Sequence, residues 1–182
     1  MAATRSITIL AISGSLKYTS SNTAILRMMA EIAPENVVVT IFEGLDTLPH
    51  FNPDSVEDIF LVINFRQQLK EADAVIFSTP EYAYGVPGVL KNALDWLVSS
   101  GELNEKPVVA ISASPLYSGG DKALASLLLT LTALGTAMHT GSSLSIPDIK
   151  NKINATGEIT DAETINALRL LMNNLVEQIL LQ

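Results

Sequence analysis

The chain has 182 residues, enough to bury a substantial core without a disulfide or metal staple. Hydrophobic residues make up 48% and charged residues 16%, which excludes intrinsic disorder, and 19 acidic against 11 basic residues argue against nucleic-acid binding. Cysteine is absent, so disulfides, thiol catalysis, iron–sulfur clusters and Cys-ligated zinc are excluded; two histidines, His50 and His139, leave no room for a His-rich metal site.

Residues 6–13 (SITILAIS) form an apolar, β-branched run that reads as a buried strand ending at Gly14. The Met1 end runs straight into it with no secretory-signal pattern, so a cytoplasmic protein is expected. A hydroxyl-rich loop leads into a helix over 22–33, with Ala24, Ile25, Met28, Met29 and Ile32 at helical spacing, stopped by Pro34. Residues 36–42 (NVVVTIF) read as a second strand, and 46–54 (DTLPHFNPD) as a turn-rich connector. A helix is expected over 56–72, its apolar stripe formed by Val56, Ile59, Phe60, Ile63 and Leu69.

Residues 74–78 (AVIFS) read as a third strand, 88–98 as a helix, and 107–112 (PVVAIS) as a fourth strand. A small-residue loop over 114–120 precedes a helix over 123–134, with Leu124, Leu127, Leu128 and Leu131 on one face and Leu129 and Leu134 broadening it. A short last strand is expected over 136–140. A closing helix over 159–181 carries a capping box from Thr160 and Glu163 and a stripe of Ile165, Leu168, Met172, Leu175 and Ile179. The uncharged run 123–138 is too short to span a membrane. No repeat or linker interrupts the pattern, so one domain over 1–182 is expected.

This alternation of strand and helix implies a parallel sheet covered on both faces. In such a sheet ligands bind at the carboxyl ends of the strands. Three loops leave those ends: 14–22, 79–88 and 114–120. The first offers hydroxyls from Ser15, Thr19, Ser20 and Ser21, an amide from Asn22, a cation from Lys17 and the free N–H groups of a helix start. That set suits a terminal monophosphate, although Ser20 or Ser21 capping the helix explains part of it. Neither a G-x-G-x-x-G nor a Walker-A pattern is present, which disfavours dinucleotide and P-loop sites. The second loop sets Pro80, Tyr82, Tyr84 and Gly85 where they can wall a flat ring. Lys91 and Asp95, four apart, read as a structural pair, and His139 as a satisfied polar residue rather than a proton donor. The Asn154-Ala155-Thr156 sequon is a coincidence in a chain with no secretory signal.

The segment PEYAYGVPGVLKNALDW at 80–96 resembles the PEY-x-x-x-x-PG-x-LKNA-x-DW signature of the NADPH-dependent FMN reductases, a flavodoxin-like family that includes quinone, chromate and azo-dye reductases. GSLKYTSSN at 14–22 resembles the same family's GSLR-x-x-S-x-N, and LPHFNPD and LKEADAVIFSTPEY fit in order and spacing. The resemblance implies a flavodoxin-like three-layer α/β/α sandwich with a five-stranded parallel sheet of order 2-1-3-4-5. It implies FMN as cofactor, NADPH or NADH as electron donor, and a quinone, azo compound, metal ion or free flavin as small-molecule acceptor. It assigns the FMN phosphate to Ser15, Lys17, Ser20 and Asn22, the edge of the flavin ring to Pro80, Glu81, Tyr82, Ala83 and Gly85, and the ring's other side to Ser114, Tyr117 and Gly120. No catalytic side chain and no metal are expected, because a flavin itself carries the electrons.

Three positions depart from the family pattern. Lys17 stands for the usual Arg, Ala83 for a common Asn, and Asp121-Lys122 follow Gly119-Gly120 where an Arg is usual, which bears on the choice between NADPH and NADH. An FMN-binding electron carrier without NAD(P)H turnover is the alternative, but the T-x-T-G-x-T type of phosphate loop usual in flavodoxins is absent. The apolar helix over 123–134, with the helix over 88–98, implies an isologous four-helix contact, and the resemblance likewise points to a homodimer or a tetramer of dimers. No membrane or nucleic-acid partner is expected.

Overall fold

A computed structural model describes residues 5–54 and 59–182. Its elements run β1 (Ile7–Ser13), α1 (Ser21–Glu31), β2 (Val37–Ile41), α2 (Phe60–Glu71), β3 (Ala74–Thr79), α3 (Gly88–Asp95), β4 (Val108–Ala113), α4 (Asp121–Ala133), β5 (Ser143–Ile146) and α5 (Ala162–Leu180), with a short 3-10 turn at Ile149–Lys152. The five strands form one parallel sheet of order β2-β1-β3-β4-β5, the flavodoxin-like arrangement expected.

Strand alternation sorts the side chains into two cores. Ile7, Ile9 and Ala11 of β1 and Ile76 of β3 face α1 and α5, where Ile25, Met29, Leu168, Met172 and Leu175 are buried. Leu10, Ile12, Val75 and Phe77 face the opposite side, against Phe65 and Leu69 of α2, Leu90 and Leu94 of α3, and Leu127 and Leu131 of α4. Burial on both faces explains why β1, β3 and β4 read as unbroken apolar runs. Burying each of these large side chains stabilises the fold by about 1.5–3 kcal/mol, before entropy is counted.

Several boundaries differ from those the sequence implies. The last strand is Ser143–Ile146, not 136–140, which touches the sheet only through a bridge between Pro107 and Ala137. β5 is an edge strand with only Ile146 fully buried, so Ser143 and Ser145 are tolerated and the apolar signal is weak. α5 begins at Ala162, with Asp161 as its cap: the carboxylate accepts from the Thr164 N–H at 2.8 Å, so Thr160 and Glu163 do not form the capping box. α3 ends at Asp95, short of Val98, where the backbone passes into i→i−3 turns: the Leu97 N–H donates to the Leu94 carbonyl at 3.0 Å and the Val98 N–H to the Asp95 carbonyl at 3.3 Å. The Trp96 indole N–H donates to the Pro49 carbonyl at 2.9 Å, and Arg66 Nε donates to the Trp96 carbonyl at 3.2 Å.

In α2 the buried face is Val62, Phe65 and Leu69, while Phe60 and Ile63 are exposed; Val56 lies outside the described residues. Of the expected stripe, Ile59 and Leu69 pack against the core, whereas Phe60 and Ile63 do not. In α4, Leu128 packs partly against the core and Leu129 points outward.

Candidate functional site

The carboxyl ends of β1, β3 and β4 lie side by side, since Ser13 pairs with Ser78 and Thr79 with Ser112. Parallel neighbours sit about 4.8 Å apart, so the three loops converge within the width of a flat aromatic ligand.

In the first loop, Gly14 continues the sheet by donating its N–H to the Ser78 carbonyl at 2.8 Å. A Cβ at Gly14 would stand 3.0 Å from Leu90 and 3.2 Å from Thr79, so the close approach of β1 to α3 requires glycine. Ser20 is the N-cap of α1, and its Oγ accepts from the N–H groups of Asn22 (3.2 Å) and Thr23 (3.4 Å). The N–H groups of Thr19, Ser20 and Ser21 find no acceptor among the described residues. Lys17 and Ser15 flank them, and the Ser15 hydroxyl accepts from the Lys17 N–H at 3.3 Å. Asn22 is buried and ties the loops together. Its Oδ1 accepts from the Ser78 hydroxyl at 2.9 Å and its Nδ2 donates to the Ala113 carbonyl at 3.5 Å.

The second loop leaves β3 through buried Pro80 and closes into a two-residue turn. Tyr82 and Gly85 exchange backbone hydrogen bonds at 3.1 and 3.0 Å, and the central residues Ala83 (φ 49°) and Tyr84 (φ 61°) both carry positive φ. This is the pattern of a type I′ turn, which favours Asn and Gly. Asn would tolerate this left-handed backbone, which Ala occupies here at a cost. A Cβ on Gly85 would meet only the Tyr82 carbonyl, at 3.8 Å, so the space beside Gly85 is open. Tyr82 is 58% exposed.

Glu81 reaches the third loop. Its Oε2 accepts from the N–H groups of Lys122 and Ala123, each at 3.0 Å, at the start of α4. Gly120 is the N-cap of that helix in the left-handed conformation and offers no side chain, so the carboxylate of Glu81 does the capping from another loop. A Cβ on Gly119 (φ 64°) would collide with the Ser145 hydroxyl. Ser114 is buried, and its Oγ accepts from the Leu116 N–H at 3.1 Å. Tyr117 is 94% exposed at the loop tip.

The structure therefore gathers Ser15, Lys17 and Ser20 at the start of α1, Pro80, Glu81, Tyr82, Ala83 and Gly85 on the β3–α3 loop, and Ser114, Tyr117 and Gly120 on the β4–α4 loop. Asn22 is brought there as a buried tie. Lys91 and Asp95 form the expected pair on α3, at 2.5 Å. Sequence reasoning missed the tasks of Asn92 and Trp96 within the second motif. The Asn92 side chain donates to the Pro49 carbonyl at 2.9 Å and accepts from the Phe51 N–H at 2.8 Å, while Phe51 packs edge-on against Trp96 at 5.1 Å. These two residues fasten the 46–54 connector to α3. Their signal was present, since both the motif and the connector were matched, but nothing in the linear sequence said that they touch.

Comparison with known proteins agrees with this geometry. The family model for NADPH-dependent FMN reductase matches residues 7–150. An NAD(P)H-dependent FMN reductase of Pseudomonas aeruginosa is 33% identical over 159 residues, covering 85% of each chain. A quinone reductase of Escherichia coli is 33% identical over 161 residues, covering 85% of this chain and 86% of its own. Among solved structures, the flavoenzyme NAD(P)H:(acceptor) oxidoreductase FerB of Paracoccus denitrificans superposes with a TM-score of 0.85 at 29% identity, covering 95% of this chain and 97% of that one. With both signature loops at the ends of adjacent strands and the family model spanning β1 to the turn after β5, this chain belongs to the NADPH-dependent FMN reductase family, oxidoreductases with FMN as cofactor and NAD(P)H as electron donor.

Proposed function

We propose that this protein holds FMN across the ends of β1, β3 and β4 and passes two electrons from NADPH or NADH to a small flat acceptor. Quinones are the first acceptor class, ahead of azo compounds, metal ions and free flavin. The observation that carries the reading is a set of unsatisfied donors at the start of α1, one strand away from an open-sided turn at Gly85. The free N–H groups of Thr19, Ser20 and Ser21, the hydroxyls of Ser15 and Ser20 and the Lys17 ammonium fit a phosphate dianion. Asn22 acts by holding that helix start against β3 and β4. The open space beside Gly85, edged by Pro80, Glu81, Tyr82 and Ala83, fits a flat ring, with Ser114, Tyr117 and Gly120 on its far side.

FMN, held by Ser15, Lys17 and Ser20 at its phosphate, would supply the two-electron chemistry that links a nicotinamide donor to the acceptor. The protein's part is to bind, orient and leave one ring face accessible. The Glu81 carboxylate is committed to the start of α4, which fits a positioning task rather than proton transfer. A homo-oligomer belongs to the same reading: Tyr82, Tyr84, Leu116 and Tyr117 are exposed around the site, and Val98 and Leu129 are exposed nearby in the chain's α3 and α4 regions. A second copy covering them would complete the ring pocket. A cytoplasmic setting suits a pyridine-nucleotide donor.

The test compares FMN with riboflavin by calorimetric titration of the apo-protein. FMN binds more tightly, and Lys17→Ala weakens FMN about tenfold, roughly 1.4 kcal/mol, while leaving riboflavin unchanged. Equal loss for both ligands would remove the phosphate from this loop. Steady-state turnover with a quinone, an azo dye, a ferric chelate and free FMN then ranks the acceptors.

A further inference from the structure

Beside the start of α1, a groove of about 430 Å³ lies between that helix and the segment after β5. One wall is Lys17, Ser20 and Arg27; the other is the segment after β5, with Lys150, Asn154 and Thr156. Ser20 to Arg27 spans seven residues of helix, about 10 Å of length. Its size is that of a small-molecule site, and a single phosphate at the helix start fills only one end of it.

The charge of the groove runs against that of the molecule. The chain carries net charge -8, yet no Asp or Glu lines this cavity, and three cations do. None of Lys17, Arg27 and Lys150 is in an ion pair among the described residues, and they gather in one groove, whereas the other cations without an ion pair there, Lys70, Lys106 and Arg169, do not line it. The far wall is also built firmly. Asn154 Oδ1 accepts from the N–H groups of Thr156 (3.0 Å) and Glu158 (2.9 Å), and its Nδ2 donates to the Glu158 carboxylate at 2.7 Å. At the mouth, Tyr18 is 93% exposed and presents a free aromatic face.

We propose that the cofactor site continues past the flavin monophosphate into this groove, which takes the second phosphate and the adenosine of a flavin dinucleotide, so that the protein binds FAD as well as FMN. The inference rests on the placement of the flavin phosphate at Lys17 and Ser20. Arg27 and Lys150 meet the added phosphoryl charge, and Tyr18 offers a stacking surface to the purine. The groove is continuous with the phosphate end rather than the ring end, which favours an extension of the flavin over the adenosine end of the electron donor.

The test is calorimetric titration of the full-length apo-protein with FMN, FAD and ADP. FAD binds with a dissociation constant within about tenfold of that for FMN. Lys150→Glu, an exposed change outside the flavin contacts, weakens FAD by about tenfold or more and FMN by less than about threefold, through like-charge repulsion of the second phosphate. Tyr18→Ala lowers FAD affinity selectively by a smaller factor. FAD binding more than about tenfold weaker than FMN, or loss of both flavins together in Lys150→Glu, overturns the proposal. So does a rise in the KM for NADPH in Lys150→Glu with FAD binding unchanged, or ADP binding to the FMN-loaded protein that Lys150→Glu abolishes, since the groove would then serve a separate nucleotide. Failure of FMN itself to bind overturns the cofactor reading as well, and so is distinct from failure of FAD alone.

Discussion

At position 83 the backbone is left-handed and the residue is alanine, which lacks the side-chain oxygen that makes this conformation tolerable for Asn. Ala83→Asn is therefore expected to stabilise the folded protein by about 0.5–1 kcal/mol, raising the melting temperature by roughly 2–3 °C at this chain length. Thermal unfolding followed by circular dichroism measures it, and an unchanged or lower midpoint would mean that the turn stores no strain. Gly85 is a different case, because no positive φ constrains it and a Cβ there touches only a carbonyl at 3.8 Å. Gly85→Val should melt like the parent yet bind FMN more weakly, as its branched side chain enters the space assigned to the ring. Unaltered FMN affinity in the folded variant would move the ring elsewhere. The position of Glu81 on the β3–α3 loop was legible from its motif. Its task was not, because the two N–H groups it serves lie 41 and 42 residues away and only the fold brings them together. Glu81→Ala should cost about 1–2 kcal/mol of stability, the loss of a charged cap at a helix start, and Glu81→Gln should recover part of it.

Among the elements, those buried on both faces were the most readable. β1, β3 and β4 lie within one or two residues of their sequence-based bounds, since a continuous β-branched run bounded by Gly or Pro admits few alternatives. β5 was misplaced because an edge strand can keep serines, while α2 lies where expected and only its buried face differs, because exposed Phe60 and Ile63 imitate a stripe. The start of α5 lies three residues beyond the expected 159, and its cap is one position beyond Thr160. Thr160 satisfied the pattern, but the neighbouring Asp161 is the better acceptor and also lies 3.6 Å from the Lys152 ammonium. The Thr164 hydroxyl, then its N–H, hold the Asp161 carboxyl below the usual carboxylate range, with Lys152 adding to the effect. A carboxyl with a depressed folded-state pKa contributes stability that is complete above its unfolded value and is lost as pH falls through the folded value. Asp161→Ala should therefore melt below the parent at neutral pH, and the gap should close under acid conditions as the parent's carboxylate is protonated. A gap that persists unchanged into strong acid would show that charge is not what stabilises the cap.

Across the whole molecule, the sheet places both signature loops at the carboxyl ends of the neighbouring strands β1 and β3, and Asn92 and Trp96 fasten the 46–54 connector to α3. The expected interface needs revision at the level of residues. α3 turns Leu90 and Leu94 inward, as the following turn does Leu97, and Leu128 packs partly on the core, which leaves Leu129, 75% exposed, as the informative probe. Leu129→Glu should shift the mass measured by light scattering toward the monomer and lower flavin occupancy, while far-ultraviolet dichroism stays as in the parent. A parent protein that is already monomeric at high concentration would remove the oligomer from the account. The most direct test of the central claim is anaerobic mixing of the FMN-loaded protein with NADPH or NADH, followed by flavin absorbance. Rapid bleaching by at least one donor, and return of the oxidised spectrum when a quinone is added, is the expected result. A yellow protein that dithionite bleaches but neither nucleotide reduces would contradict it and leave an FMN-binding electron carrier in its place.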